Sequence, residues 1–192
     1  MNLTAVLLAG GQSRRMGRDK AFLQINGEPL WKRQVAKLEQ IAAEVLVSVH
    51  DVSSPIETVH RKIFDPPHAR GPLAGLAAAL HAAAHPHVLV LAVDLPAMTP
   101  AYLRSLAAQT APGRGVVPMA EGFFQGTAAI YPREILPLVE EALESDDLSF
   151  QNLLRKAVAA QLMATVSVSD ADLPLFANWN TPEAFDSKNM AL

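Results

Sequence analysis

Two groups of residues in this sequence have the types and spacing needed to hold a polyphosphate and a hard cation. The first is the segment Leu8-Ala9-Gly10-Gly11-Gln12-Ser13-Arg14-Arg15-Met16-Gly17-Arg18-Asp19-Lys20. Its glycines permit positive φ and let a phosphate approach backbone amides closely. Arg14, Arg15, Arg18 and Lys20 concentrate positive charge, which matches a triphosphate. The second is the strand end at Asp94, which closes the apolar run 88–93 before Leu95-Pro96. Carboxylate oxygens suit Mg²⁺, which prefers hard oxygen ligands and keeps several waters. Each feature also has a plainer reading: a solvated loop and a turn-forming aspartate.

The glycine segment is neither of two common phosphate loops. A P-loop requires Gly-Lys followed by Ser or Thr, whereas Gly17 precedes Arg18 and Asp19. The dinucleotide fingerprint separates its first two glycines by one residue, whereas Gly10 and Gly11 are adjacent.

Composition bounds what such a site can belong to. The 192 residues are 50% hydrophobic and 18% charged, which implies a globular chain and predicts a single domain over 1–192. There is no cysteine, so disulfides, thiolate catalysis and cysteine zinc sites are excluded. The net charge of −3 argues against a general nucleic-acid partner, so an anionic ligand must be held locally. No apolar run approaches the ~20 residues that span a bilayer, and the apolar N-terminus lacks a basic leader. The expectation is a cytoplasmic protein with no membrane partner.

The elements that must position these residues follow from apolar periodicity. Short apolar runs predict strands over 3–8, 44–49, 63–64, 87–93, 115–118, 126–131 and 164–168. Helical spacing predicts helices over 31–41, 73–85, 100–109, 133–144 and 149–159, with Thr99 as an N-cap, and a short one over 182–186. The alternation of strand and helix predicts an α/β fold: a three-layer, Rossmann-like, mostly parallel sheet with helices on both faces. Ligands of such sheets bind beyond the C-terminal strand ends, where the loop after Leu8 and Asp94 both fall.

The run Leu-Ala-Gly-Gly-x-Ser-x-Arg-Met-Gly-x-Asp-Lys resembles the signature of the molybdenum cofactor guanylyltransferases, within the wider nucleotidyltransferase superfamily. Gly71-Pro72-Leu73-Ala74-Gly75 resembles that family's segment at the active cleft, and Asn178-Trp179-Asn180-Thr181-Pro182-Glu183 resembles its Asn-x-Asn-Thr-Pro-Glu segment. The likeness runs from about Leu3 to Phe185. Ser48 stands where the family often has asparagine, Gln125-Gly126-Thr127 lacks the usual proline, and Ala184 replaces an acidic residue.

The resemblance implies a nucleotide-diphospho-sugar transferase-like fold and a set of roles. Leu8, Ala9, Gly10, Gly11, Lys20, Ser48, Asp65, Gly71, Gly75 and Asp94 would bind the nucleotide. Arg15, Lys20 and Asp94 would be catalytic, and Asp94 and Asn180 would hold Mg²⁺. The implied reaction joins GMP from GTP to the terminal phosphate of molybdopterin carrying molybdenum, releasing pyrophosphate. Other proteins of molybdenum cofactor synthesis would be partners. Two alternatives stay open: a cytidylyltransferase or sugar-phosphate nucleotidyltransferase, and a nucleotide-binding module without turnover.

Overall fold

The computed structural model describes residues 2–10, 20–50, 52–66, 71–145 and 148–178. In chain order the strands are β1 (Thr4–Leu8), β2 (Gln24–Ile25), β3 (Glu28–Pro29), β4 (Glu44–Val49), β5 (Arg61–Phe64), β6 (His87–Ala92), β7 (Gly115–Ala120), β8 (Phe123–Phe124), β9 (Ala128–Pro132) and β10 (Met163–Ser167). The α-helices are α1 (Leu30–Glu39), α2 (Pro72–Ala82), α3 (Pro100–Ala107), α4 (Leu136–Glu144) and α5 (Phe150–Ala159). The main sheet has the order β10-β7-β9-β6-β1-β4-β5, with β8 paired to β7. β1 is central, parallel to β4 on one side and to β6 on the other. Along this path β9 alone is reversed, running antiparallel to both β6 and β7.

Strand β1 shows why the sheet needs helices on both faces. All five of its residues are buried, and successive side chains point to opposite faces. Ala5 and Leu7 join a core with Leu30, Val35 and Leu38 of α1 and Leu103 and Leu106 of α3. Val6 and Leu8 join a second core with Leu76 and Leu80 of α2, Val139 of α4 and Leu153 and Leu154 of α5. A strand buried on both sides reads as a continuous apolar run, which is how 3–8 and 87–93 read in the sequence. The expected mostly parallel, three-layer α/β fold is the one observed.

Local chemistry explains the departures from the expected elements. Asn26 (φ 52°) and Gly27 (φ 78°) form the two-residue turn between β2 and β3, a hairpin signalled by its Asn-Gly pair and too short to show apolar periodicity. The stretch expected as a helix over 133–144 begins as a 3₁₀ turn, Arg133–Ile135, before α4. Pro137 has no N–H with which to carry an α-helix back to Arg133. Helix α2 stops at Ala82, short of the expected 85, because Ala83 is already extended. Thr99 caps α3 as expected, its Oγ1 accepting from Tyr102 N at 3.2 Å. The helix expected over 182–186 lies outside the described residues. Among the described residues, no helix is long and apolar enough to cross a membrane.

Candidate active site

The chain leaves β1 for β4 on one side and later returns to β6 on the other, so the sheet's topological switch point lies at the C-terminal end of β1. Ligands of open α/β sheets bind at that place, and there the structure has a cleft of about 340 Å³. Its floor is the end of β1. Ala9 N donates to Ser48 O at 3.0 Å, and Val93 N donates to Leu8 O at 3.1 Å. The start of the glycine loop is thereby tied to both neighbouring strands. Gly10 fits because a Cβ there would lie 3.1 Å from His50 N and 3.3 Å from Val49 C, both backbone atoms.

The polar groups of the cleft come from strand ends. Asp94 follows β6, and its Oδ2 accepts a hydrogen bond from Lys20 Nζ at 3.4 Å. The two side chains are 21% and 24% exposed, so the pair faces the cleft while remaining partly screened from water. On the β4–β5 side, Ser48 Oγ donates to Asp65 Oδ1 at 3.4 Å. His50 Nδ1 stands 3.8 Å from Asp65 Oδ2, an electrostatic contact too long for a hydrogen bond. Burial raises the pKa of Asp65 above its ordinary value, and the nearby His50 and the Ser48 hydroxyl offset part of that rise.

Helix α2 supplies the remaining wall. Gly71 is its N-cap, with a φ of 79° that favours glycine, and Pro72 opens its first turn. Gly75 faces the floor: a Cβ there would stand 2.7 Å from Leu8 Cδ2 and 2.9 Å from Ser48 Oγ. The tight helix approach and the cleft's shape therefore share one glycine.

Of the residues singled out from the sequence, Leu8, Ala9, Gly10, Lys20, Ser48, Asp65, Gly71, Gly75 and Asp94 line this cleft. Gly11, Arg14, Arg15 and Asn180 lie outside the described residues. Asn178 and Pro72, from segments that carry the resemblance, line the cleft too, as do Ala92, Val93 and Thr127, which were not expected there. Thr127 belongs to the Gln125-Gly126-Thr127 segment that departs from the family's pattern, and that departure gave it no role. It arrives through the pairing of β9 with β6, where Ala92 N donates to Thr127 O at 2.8 Å. Elsewhere, His81 Nε2 sits 3.0 Å from Glu140 Oε1. Among the described residues, no three His, Asp or Glu gather as a metal cluster.

The mostly parallel sheet flanked by helices is a fold shared with solved nucleotidyltransferases. Residues 5–170 match the family model of the MobA-like NTP transferase domain, and the chain belongs to that family. It is 38% identical over 188 residues to a protein of Opitutus terrae described as a probable molybdenum cofactor guanylyltransferase, covering 96% of this chain and 93% of the relative. Its fold is similar to that of molybdopterin-guanine dinucleotide biosynthesis protein A from Archaeoglobus fulgidus, with a TM-score of 0.80, 22% identity and coverage of 98% and 97% of the two chains. It also resembles 2-C-methyl-D-erythritol 4-phosphate cytidylyltransferase from Thermus thermophilus, with a TM-score of 0.74, 20% identity and coverage of 100% and 98%.

Proposed function

We propose that this chain transfers GMP from GTP to the terminal phosphate of molybdopterin-bound molybdenum cofactor. The observation that carries the proposal is the meeting of Lys20 and Asp94, 74 residues apart in sequence, at 3.4 Å within the cleft. The 38% identity to a probable guanylyltransferase along nearly the whole chain supports the choice of nucleotide and acceptor. In the transfer, an acceptor phosphate oxygen bonds to the α-phosphorus of GTP. The bond from that phosphorus to the β-bridging oxygen breaks, and pyrophosphate leaves with the electron pair.

No side-chain nucleophile is needed, so the residues act by alignment and charge. The backbone of Leu8, Ala9, Gly10 and Gly11 holds base and phosphates. Lys20, with Arg15 from the glycine segment, neutralises phosphate charge. Ser48 and Asp65 offer an acceptor-rich edge to the base, and Gly71 and Gly75 keep the wall thin enough for it.

A Mg²⁺ ion fits the donors present. Asp94 is a partly screened carboxylate at a strand end, Asn178 lines the same cleft, and an ion held with a nucleotide needs only one or two protein carboxylates. Asp94 and Asn180 would hold it, and it would neutralise charge on the phosphoryl oxygens.

The test is turnover of each nucleoside triphosphate with molybdopterin and Mg²⁺, following pyrophosphate release. GTP is expected to be the productive donor. Asp94→Ala should abolish transfer without changing the melting temperature by more than a few degrees, and Lys20→Ala should weaken GTP binding at least about tenfold, consistent with lost charge-assisted bonds. Productive use of CTP in place of GTP would move the reading to a cytidylyltransferase. Full activity of Asp94→Ala would remove the metal assignment.

A further inference from the structure

The turn that carries Asp94 is gripped from outside the cleft by helix α1. Gln34 Nε2 donates to Leu95 O at 2.9 Å and to Ala92 O at 3.4 Å. One helical turn later, Lys37 Nζ donates to Pro96 O at 2.6 Å. The carbonyls at 92, 95 and 96 bracket Asp94 on both sides. We propose that Gln34 and Lys37 are positioning residues that set the Asp94 carboxylate in the cleft; this rests on the reading of Asp94 given above.

At two of the three carbonyls the backbone already supplies a donor, so satisfying them does not by itself require Gln34. Ala92 O already accepts from Leu95 N at 3.4 Å, and Leu95 O already accepts from Met98 N at 3.1 Å. Both placements also cost free energy. Gln34 is fully buried, and its Oε1 has no hydrogen-bond partner among the described residues. Burial, together with Arg33 one turn away, pulls the Lys37 ammonium down to about 8. An apolar residue at position 34 would avoid its penalty, and the core beneath is already apolar: Leu30, Val35 and Leu38 of α1 pack in one cluster with Val93, Leu95 and Met98. What the polar pair adds is direction. Two hydrogen bonds and a charge-assisted third fix the turn's backbone relative to α1. On the other side, Val93 N to Leu8 O fixes it relative to β1. Asp94 lies between these ties with its side chain turned to Lys20. Partners of this outer kind commonly change metal affinity or activity about tenfold to a hundredfold when removed.

The experiment uses the full chain with Gln34→Leu, Lys37→Met and Lys37→Arg. Binding of Mn²⁺ to the protein–GTP complex is followed by its electron paramagnetic resonance signal. GTP affinity in EDTA, kcat and amide hydrogen exchange over 92–96 are measured alongside. Gln34→Leu and Lys37→Met are expected to bind GTP in EDTA within about twofold of wild type. Their Mn²⁺ affinity and kcat should fall about tenfold to a hundredfold, with exchange at Val93 and Leu95 accelerated. Lys37→Arg should restore most of the loss. Wild-type Mn²⁺ affinity and unchanged exchange in both apolar variants would overturn the inference. If Gln34→Leu fails to fold, the contrast of Lys37→Met with Lys37→Arg decides it. If the wild-type chain itself binds no GTP, the proposed function falls, and exchange over 92–96 still reports whether α1 holds the turn.

Discussion

Gly75→Ala separates the shape of the cleft from the stability of the fold. On helix propensity alone, alanine inside α2 should stabilise the chain by about 1 kcal/mol. Against this stands crowding: the new Cβ would lie 2.7 Å from Leu8 Cδ2 and 2.9 Å from Ser48 Oγ. Overpacking a core costs about 1–3 kcal/mol. Here both clashing atoms are ends of side chains rather than backbone, so the cost belongs at the low end of that range. The two terms nearly cancel, and the melting temperature should move by no more than about 4 °C in either direction.

The cleft has no such cancellation. To reach ordinary contact distances, Leu8 Cδ2 and Ser48 Oγ must each retreat by roughly half an ångström or more, and both residues line the cleft. A misplacement of 1 Å can cost about a hundredfold, so GTP affinity should fall by about tenfold. The assays are calorimetric GTP titration and thermal melting of the same preparations. In a Ser48→Ala background one of the two clashes is gone, and the penalty from Gly75→Ala should shrink measurably. Two results would refute the reasoning: a GTP affinity unchanged by Gly75→Ala, or a loss of the same size with and without the Ser48 hydroxyl.

At Gly115 the same substitution should act on the fold alone. A Cβ there would stand 2.1 Å from the backbone oxygen of Ile130, on the neighbouring strand β9, so Gly115→Ala should lose at least about 3 kcal/mol in urea unfolding; a stable variant would contradict the close strand approach. At the opposite end of the sheet from the cleft, Thr4 Oγ1 donates to Glu44 Oε2 at 2.6 Å and accepts from His85 N at 3.2 Å, so Thr4→Val should cost about 1–3 kcal/mol at pH 7. Burial would raise the Glu44 pKa, but the bonds from Thr4 and Ala84 and the charges of Arg61 and His85 outweigh it and leave the carboxyl below its ordinary value. A depressed carboxyl stabilises the fold above its unfolded pKa, and that contribution disappears as pH falls through the folded value. The gap between wild type and Thr4→Val should therefore narrow in acid below about pH 4.5, and a gap independent of pH would show that the bond does not act through Glu44.

The sequence was most readable where one short segment determines its own structure. The apolar run 88–93 with Asp94 behind it specifies a buried strand and a carboxylate at its end, because β-alternation on a two-faced sheet leaves no other polar position in the run. Gly10 was readable for a similar reason, since a glycine directly after a buried strand signals close backbone approach. Ser48 shows the limit. In Glu44–Val49 it is the one neutral polar residue in an otherwise apolar stretch, and only the family resemblance gave it a role. Thr127 stood in a segment that departs from the family's pattern and so received no role, and the reversal of β9 was not legible. A strand's direction depends on which neighbours it meets, and nothing in Ala128–Pro132 records that it lies between β6 and β7. The Asn26-Gly27 hairpin was legible, but a search for apolar periodicity does not register a strand pair this short.

The cleft and the core depend on the same register. Leu8 lies opposite Ser48 on β4 and opposite Ala92 on β6, so the floor, the Ser48–Asp65 edge and the Asp94 turn share one level of the sheet. A slip of one residue would invert every side chain of β1. Ala5 and Leu7 would exchange cores with Val6 and Leu8, so side chains would meet spaces shaped for neighbours of different volume. The same slip would carry the start of the glycine loop about 3.3 Å along the strand direction, out of level with Ser48 and the Asp94 turn. Two faces of apolar packing thus set the height of the cleft floor. Leu7→Ala should cost about 2–5 kcal/mol in urea unfolding and weaken calorimetric GTP affinity while circular dichroism still shows the native chain; an unchanged GTP affinity in that variant would refute the coupling.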